Sequence, residues 1–229
     1  MSRASLALLV LTSLSTAAHA GGTLTGKLEL PPPPDRPALE VKGFLDRVEN
    51  PLAPVKAVSP TQRMVIVALG DEKPASPPQV IVELLGESFA RRVFAAPQGA
   101  EVVIKNTSKT ARTLVAAEDP KLIPAGPINP TGPKSFRVAD VDKVYTISDK
   151  DAPHLKLTIV TVNTQFVGYP DDSGKFEIPN MPAGSYKLKI WYGDKWIERP
   201  DDTVEVKDKG KTEFNPKIEA SAFAPAGKK

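Results

Sequence analysis

Lys175-Phe176-Glu177-Ile178-Pro179-Asn180-Met181-Pro182-Ala183-Gly184-Ser185-Tyr186-Lys187-Leu188-Lys189-Ile190-Trp191 holds two alternating runs separated by a turn. In an extended chain Phe176 and Ile178 share one side, and Tyr186, Leu188 and Ile190 share one side of the next run. Period-two alternation built on aromatic and aliphatic residues describes a strand buried on one face. Pro182-Ala183-Gly184 supplies the turn, with Gly184 as the permissive residue. Just upstream, Asp171-Asp172-Ser173-Gly174 reads as a tight hairpin loop between Gln165–Tyr169 and Lys175–Ile178, with Gly174 free to take a positive φ.

The same grammar extends outward in both directions. Strands are predicted at Gln79–Leu85, Arg91–Ala95, Glu101–Lys105, Arg112–Ala116, Ser135–Val138, Val144–Ile147, Leu155–Val162, Gln165–Gly168, Thr203–Val206 and Glu213–Ile218, each bounded by Gly, Pro, Asn or Asp. Thr23–Leu30 alternates as a half-buried strand, and Pro31 to Pro34 end it. Met64-Val65-Ile66-Val67-Ala68-Leu69 is a continuous apolar run, short enough for a core strand buried on both faces. The proline-punctuated stretch to about Pro60 reads as an extended loop, with one or two helical turns at most in Lys42–Asn50. A second proline cluster, Pro74, Pro77 and Pro78, follows Leu69. The 24 prolines oppose long helices, and no segment carries a helical apolar stripe over three turns. The expected fold class is all-β, built of sandwiches rather than a parallel α/β sheet.

Composition narrows the chemistry. Arg3, the apolar run Leu6 to Leu14 and the small-x-small Ala18-His19-Ala20 form an export signal peptide, residues 1–20. Cleavage after Ala20 removes His19 and Arg3, leaving His154 as the sole histidine and a net charge near +2. With no cysteine and one histidine, this chain alone cannot build a Cys/His zinc site, a blue-copper centre or an iron–sulfur cluster. The interleaved charges form no basic face, so nucleic acid is not an expected partner. No apolar run after residue 20 approaches the roughly 18 residues a membrane helix requires. The mature chain is expected in the periplasm or outside the cell, without a cofactor. The tail Ser221–Lys229 is small, polar and basic, and is expected to fray.

Two stretches resemble known families. Phe89-Ala90-Arg91-Arg92-Val93-Phe94-Ala95-Ala96-Pro97-Gln98-Gly99-Ala100-Glu101-Val102-Val103-Ile104-Lys105-Asn106 resembles the cupredoxin-like pattern F-x-P-x-x-x-x-V-P-x-G-x-x-V-x-F-x-N. Phe166 to Trp191 is similar to carboxypeptidase regulatory-like (prealbumin/transthyretin-like) domains through Asp172, Gly174, Phe176, Ile178, Pro182, Gly184, Tyr186 and Leu188. The order of the two resembles exported bacterial plastocyanin-like proteins. The resemblance implies a cupredoxin-like β-sandwich over 79–163, a regulatory-like β-sandwich over 164–219 and a flexible tail at 220–229. Residues 21–78 form an N-terminal strand and Pro-rich region able to complete one of the sandwiches. It also implies a copper site, and there this chain departs. The family's first His ligand aligns with Arg112, and the loop Ser148–Leu155 offers neither Cys nor Met. Arg112 is expected to replace the metal by pairing with Asp149 or Asp151, with His154 beside the usual ligand positions.

Other constellations have plain structural readings. Ser148, Asp149, Asp151 and His154 contain the residue types of a hydrolase triad, but no G-x-S-x-G elbow accompanies them. The pairs Asp71-Glu72, Glu118-Asp119, Asp171-Asp172 and Asp201-Asp202 are adjacent loop acids rather than carboxyls facing across a cleft. They also lack the D-x-D-x-D-G spacing of a calcium loop. Lys187, Lys189 and Trp191 fall on the polar side of their strand, with Trp196 five residues on. Lys189, Trp191 and Trp196 therefore form a candidate contact surface, unless another strand or the partner unit covers Trp191. The expected role is noncatalytic: a protein-binding or scaffolding module of the cell envelope. A carbohydrate-binding module is the alternative, and a metal-binding or electron-transfer role ranks below both.

Overall fold

The computed structural model describes residues 21–32, 59–71, 76–200 and 202–223. Expectations for the leader 1–20, the loop 33–58 with its turn at Lys42–Asn50, and the tail 224–229 lie outside these residues.

The described chain is all-β. Its strands are β1 Gly22–Lys27, β2 Met64–Leu69, β3 Val80–Leu85, β4 Ser88–Phe89, β5 Val93–Pro97, β6 Glu101–Asn106, β7 Leu114–Ala116 and β8 Pro133–Arg137. There follow β9 Val144–Asp149, β10 Lys156–Val162, β11 Val167–Gly168, β12 Lys175–Met181, β13 Gly184–Tyr192, β14 Lys195–Trp196, β15 Asp202–Val206 and β16 Lys211–Glu213. Short 3-10 turns occupy Pro60–Arg63 and Ala220–Phe223.

Four sheets stack face on face. Sheet β4-β3-β6-β8 packs on sheet β5-β10-β9-β7 around Val82, Leu84, Val102, Ile104, Ile147 and Ile159, making one sandwich. Sheet β11-β2-β13-β14, with β15 beside β13, packs on sheet β12-β1-β16 around Leu24, Ile66, Phe176, Ile178, Leu188 and Ile190, making the other. Between the two sandwiches lies a third apolar layer of Val65, Val67, Val93, Ala95, Val160, Val162 and Trp191. The N-terminal strands β1 and β2 thus complete the second sandwich, and the first is inserted between β2 and β11.

β2 shows why its sequence is apolar throughout. Ile66 and Ala68 enter the core of the second sandwich, while Val65 and Val67 enter the layer between sandwiches. β10 is divided likewise, with Leu157 and Ile159 facing inward and Val160 and Val162 facing the other unit. β1 lies at the centre of its sheet, antiparallel to β12 and parallel to β16. Its Gly26 is demanded by close approach: a Cβ there would meet the Phe214 carbonyl oxygen at 1.8 Å.

Some local expectations need correction. β4 and β14 are two-residue strands too short to leave a period in sequence. The last predicted strand forms earlier, at Lys211–Glu213, and Lys217 makes only an isolated bridge to Glu29. The Asp171–Gly174 turn is tight, and Gly174 takes φ +83°. It joins no hairpin, however: β11 pairs with β2 and β12 with β1, so the chain crosses between sheets. The turn into β13 also passes between sheets, and Asn180 rather than Gly184 adopts the positive φ.

Candidate functional site

Arg112 stands where the sequence comparison puts a metal ligand. Its backbone is fixed by a two-way bridge to Ile128, with N–H···O distances of 3.1 and 2.7 Å. The side chain is buried, but it turns to Glu87, in the turn between β3 and β4, rather than to Asp149 or Asp151. Nη2 also donates to the Gly86 carbonyl at 3.4 Å. The expected ion pair therefore exists with a different acid.

Asp149 serves its own loop instead. One carboxylate oxygen, Oδ1, accepts the N–H groups of Asp151 at 2.8 Å and Ala152 at 2.9 Å. Asp151 itself is exposed and contributes its backbone N–H. No protein group reaches Asp149 Oδ2 or Arg112 Nε, though both are buried. His154 lies on the surface with Nε2 at 3.6 Å from Glu87 Oε2, and the two side chains are 68% and 70% exposed. Glu87 thus links Arg112 to His154, a role the sequence did not disclose, since a glutamate in a short turn carries no periodic pattern.

These residues do not fit a copper ion. The Arg112 guanidinium is buried here, and its fixed positive charge opposes a cation beside it. Among the described residues, no three His, Asp or Glu side chains converge as a cation site. What the arrangement does is tie the β3–β4 turn to the segment between β6 and β7.

The aromatic surface also needs correction. Lys187, Lys189 and Trp191 do share one side of β13, but the inserted sandwich covers that side at Trp191, which is 3% exposed. Trp191 Nε1 donates to the Gly193 carbonyl at 3.1 Å, and its ring meets Trp196 edge to face at 5.1 Å. Trp196 is half-buried, with Lys189 Nζ 5.7 Å from its ring centroid. Trp196 and Lys189 remain at the surface, beside a groove lined by Ile197, Arg199, Lys217 and Ala222.

A different face carries open apolar surface. Ile81 is 46% and Leu85 47% exposed on the outward side of β3. Their register sets Ile81 beside Val103, and Glu83 between them beside Lys105. The pattern was legible: Val80–Leu85 is apolar on both sides, more than one core can use. Burial lowers the Arg91 guanidinium, and burial also pushes the Tyr169 phenol up to about 12.

Fold and site together define an all-β protein of two stacked sandwiches, in the first of which a buried arginine, Arg112, pairs with Glu87. The sequence profile described as Polysaccharide lyase family 4, domain II, matches residues 136–214. No curated protein matches the chain in sequence. Similar solved structures include amicyanin from Paracoccus versutus, 10% identical, covering 42% of this chain and 96% of that one at a TM-score of 0.33. An oxidized amicyanin variant is 10% identical over 42% of this chain and 97% of its own, at a TM-score of 0.32. The fold class stands on the strand ladders themselves.

Proposed function

We propose that this chain is an exported, noncatalytic β-sandwich module that binds a protein partner in the cell envelope. The observation that carries the reading is the β3 face, where two half-exposed aliphatics flank a solvated pair of charges. Large apolar side chains exposed within a charged rim are the composition of a protein contact. The surface differs from the tryptophan patch read from sequence, because Trp191 is packed in the apolar layer between the two sandwiches.

Export rests on the leader 1–20, and β1 begins two residues after the Ala20 cleavage point. The cupredoxin-like frame of the inserted sandwich is kept without its copper chemistry, consistent with binding rather than electron transfer. The regulatory-like reading of the second sandwich is supported by Tyr186 Oη, which donates to the Pro182 carbonyl at 3.0 Å and closes the turn before β13.

A photo-crosslinking residue at position 81 or 85, introduced in the native cells, tests the proposal. A discrete adduct that disappears with Leu85→Lys or Ile81→Lys supports it, and the absence of an adduct from both positions overturns it. A carbohydrate-binding role is the second reading. The polysaccharide lyase profile favours it, because its span includes Lys189 and Trp196. Tryptophan emission that changes on adding polysaccharide, and not in Trp196→Phe, would move that reading ahead.

A further inference from the structure

We infer that the two sandwiches form one rigid body, with Arg91 as the bolt between them. Arg91 belongs to the inserted sandwich, immediately before β5, yet its hydrogen bonds run to the other one. Nη2 donates to the carbonyls of Thr61 at 2.8 Å, Pro170 at 3.1 Å and Met64 at 3.4 Å. The guanidinium lies 5.2 Å from the centre of the Tyr169 ring, in cation–π range. Tyr169 returns the connection: its Oη accepts the Ala95 N–H at 3.2 Å and donates to the Ala95 carbonyl at 3.3 Å, at the open edge of β5. Arg92 N–H adds a bond to the Gln62 carbonyl at 3.3 Å.

Beside this polar bolt lies the apolar layer between sandwiches, none of whose seven buried residues is more than 3% exposed. The covalent connection is closed as well. Thr164 Oγ1, at the exit from the insertion, donates to the Ala68 carbonyl near its start at 2.8 Å. A hinge motion would wet the valine layer and strip Arg91 from its carbonyls together, so small rotations have no low-energy path. The β3 face and the outer face of sheet β12-β1-β16 are thereby held at a fixed separation. This holds whichever partner the module binds.

The cysteine-free chain permits clean double labelling at Ser135→Cys on β8 and Lys211→Cys on β16, both exposed. Electron–electron double resonance on the spin-labelled protein should give one narrow distance peak, and Arg91→Met should broaden it. A broad or double peak in the otherwise unaltered chain overturns rigidity. Arg91→Met with an unchanged width overturns the role of Arg91. Should Arg91→Met fail to fold, Arg91→Gln serves: its shorter, uncharged amide keeps neither the three carbonyl bonds nor the cation–π contact, and an unchanged width refutes the bolt equally.

Discussion

Tyr169 and Asp171 lie two residues apart and respond to pH in opposite directions. Burial raises the Tyr169 phenol to about 12, whereas an unfolded chain ionises its tyrosines near 10. The stability Tyr169 lends is therefore whole below about pH 10 and lost as pH rises toward about 12. Tyr169→Phe should cost about 1 kcal/mol at neutral pH and flatten that alkaline fall, as read by urea unfolding at stepped pH. The Asp171 carboxyl is held below its usual range, first by the Ser173 hydroxyl and then by the Lys175 N–H. Its contribution is present above the ordinary carboxylate range and lost as pH falls through the lowered value. Asp171→Asn should lower the melting temperature at pH 7, and the gap should close in acid. At the Arg112 site exposure decides the ranking. Glu87 is exposed, so Glu87→Gln should cost under about 1 kcal/mol. Asp149→Ala deprives two loop N–H groups of their acceptor and should cost about 1–3 kcal/mol by the same unfolding measurement.

Among the elements, β1 and β2 carry the sharpest expectations. Gly26→Ala places a methyl group against the Phe214 carbonyl, backbone that cannot swing away, and should cost about 3 kcal/mol. β2 has no solvent face to spare. Val67→Ala should cost about 2 kcal/mol, as a core truncation does, although Val67 points out of its own sandwich. Thr203→Ala, on the exposed side of β15, should change stability by no more than about 0.5 kcal/mol. If Val67 and Thr203 prove alike in denaturant unfolding, the layer between sandwiches is not a true core. Most strands were legible because a half-buried strand writes its burial as period-two alternation. β4 and β14 were not, being too short to alternate, and β16 was displaced because its pairing is set by β1 rather than by its own apolar content.

For the whole molecule, the topology makes the first sandwich removable in principle. β2 and β11 pair directly, so joining residue 70 to 164 through a short linker closes a two-strand turn. The remaining sandwich keeps its own core and should fold, but it would expose Val65, Val67 and Trp191. We expect that product to self-associate in size-exclusion chromatography, with tryptophan emission shifted to the red. A monomer with unshifted emission would show that the excised unit covers little. No helix among the described residues is long and apolar enough to cross a membrane.

The all-β class, the double-faced burial of β2 and the absence of Cys/His metal sets follow from the amino-acid sequence alone. Each depends on residue type and local period, which a chain displays before it folds. The partner of Arg112, the covering of Trp191 and the assignment of β1 and β2 to the second sandwich were decided only in three dimensions. Local alternation tells which side of a strand is apolar or polar, but not which sheet or unit comes to lie against it. Trp191 shows the difference plainly: it shares a side with Lys187 and Lys189, and only the stacking of a second sandwich made that side core at one end and surface at the other.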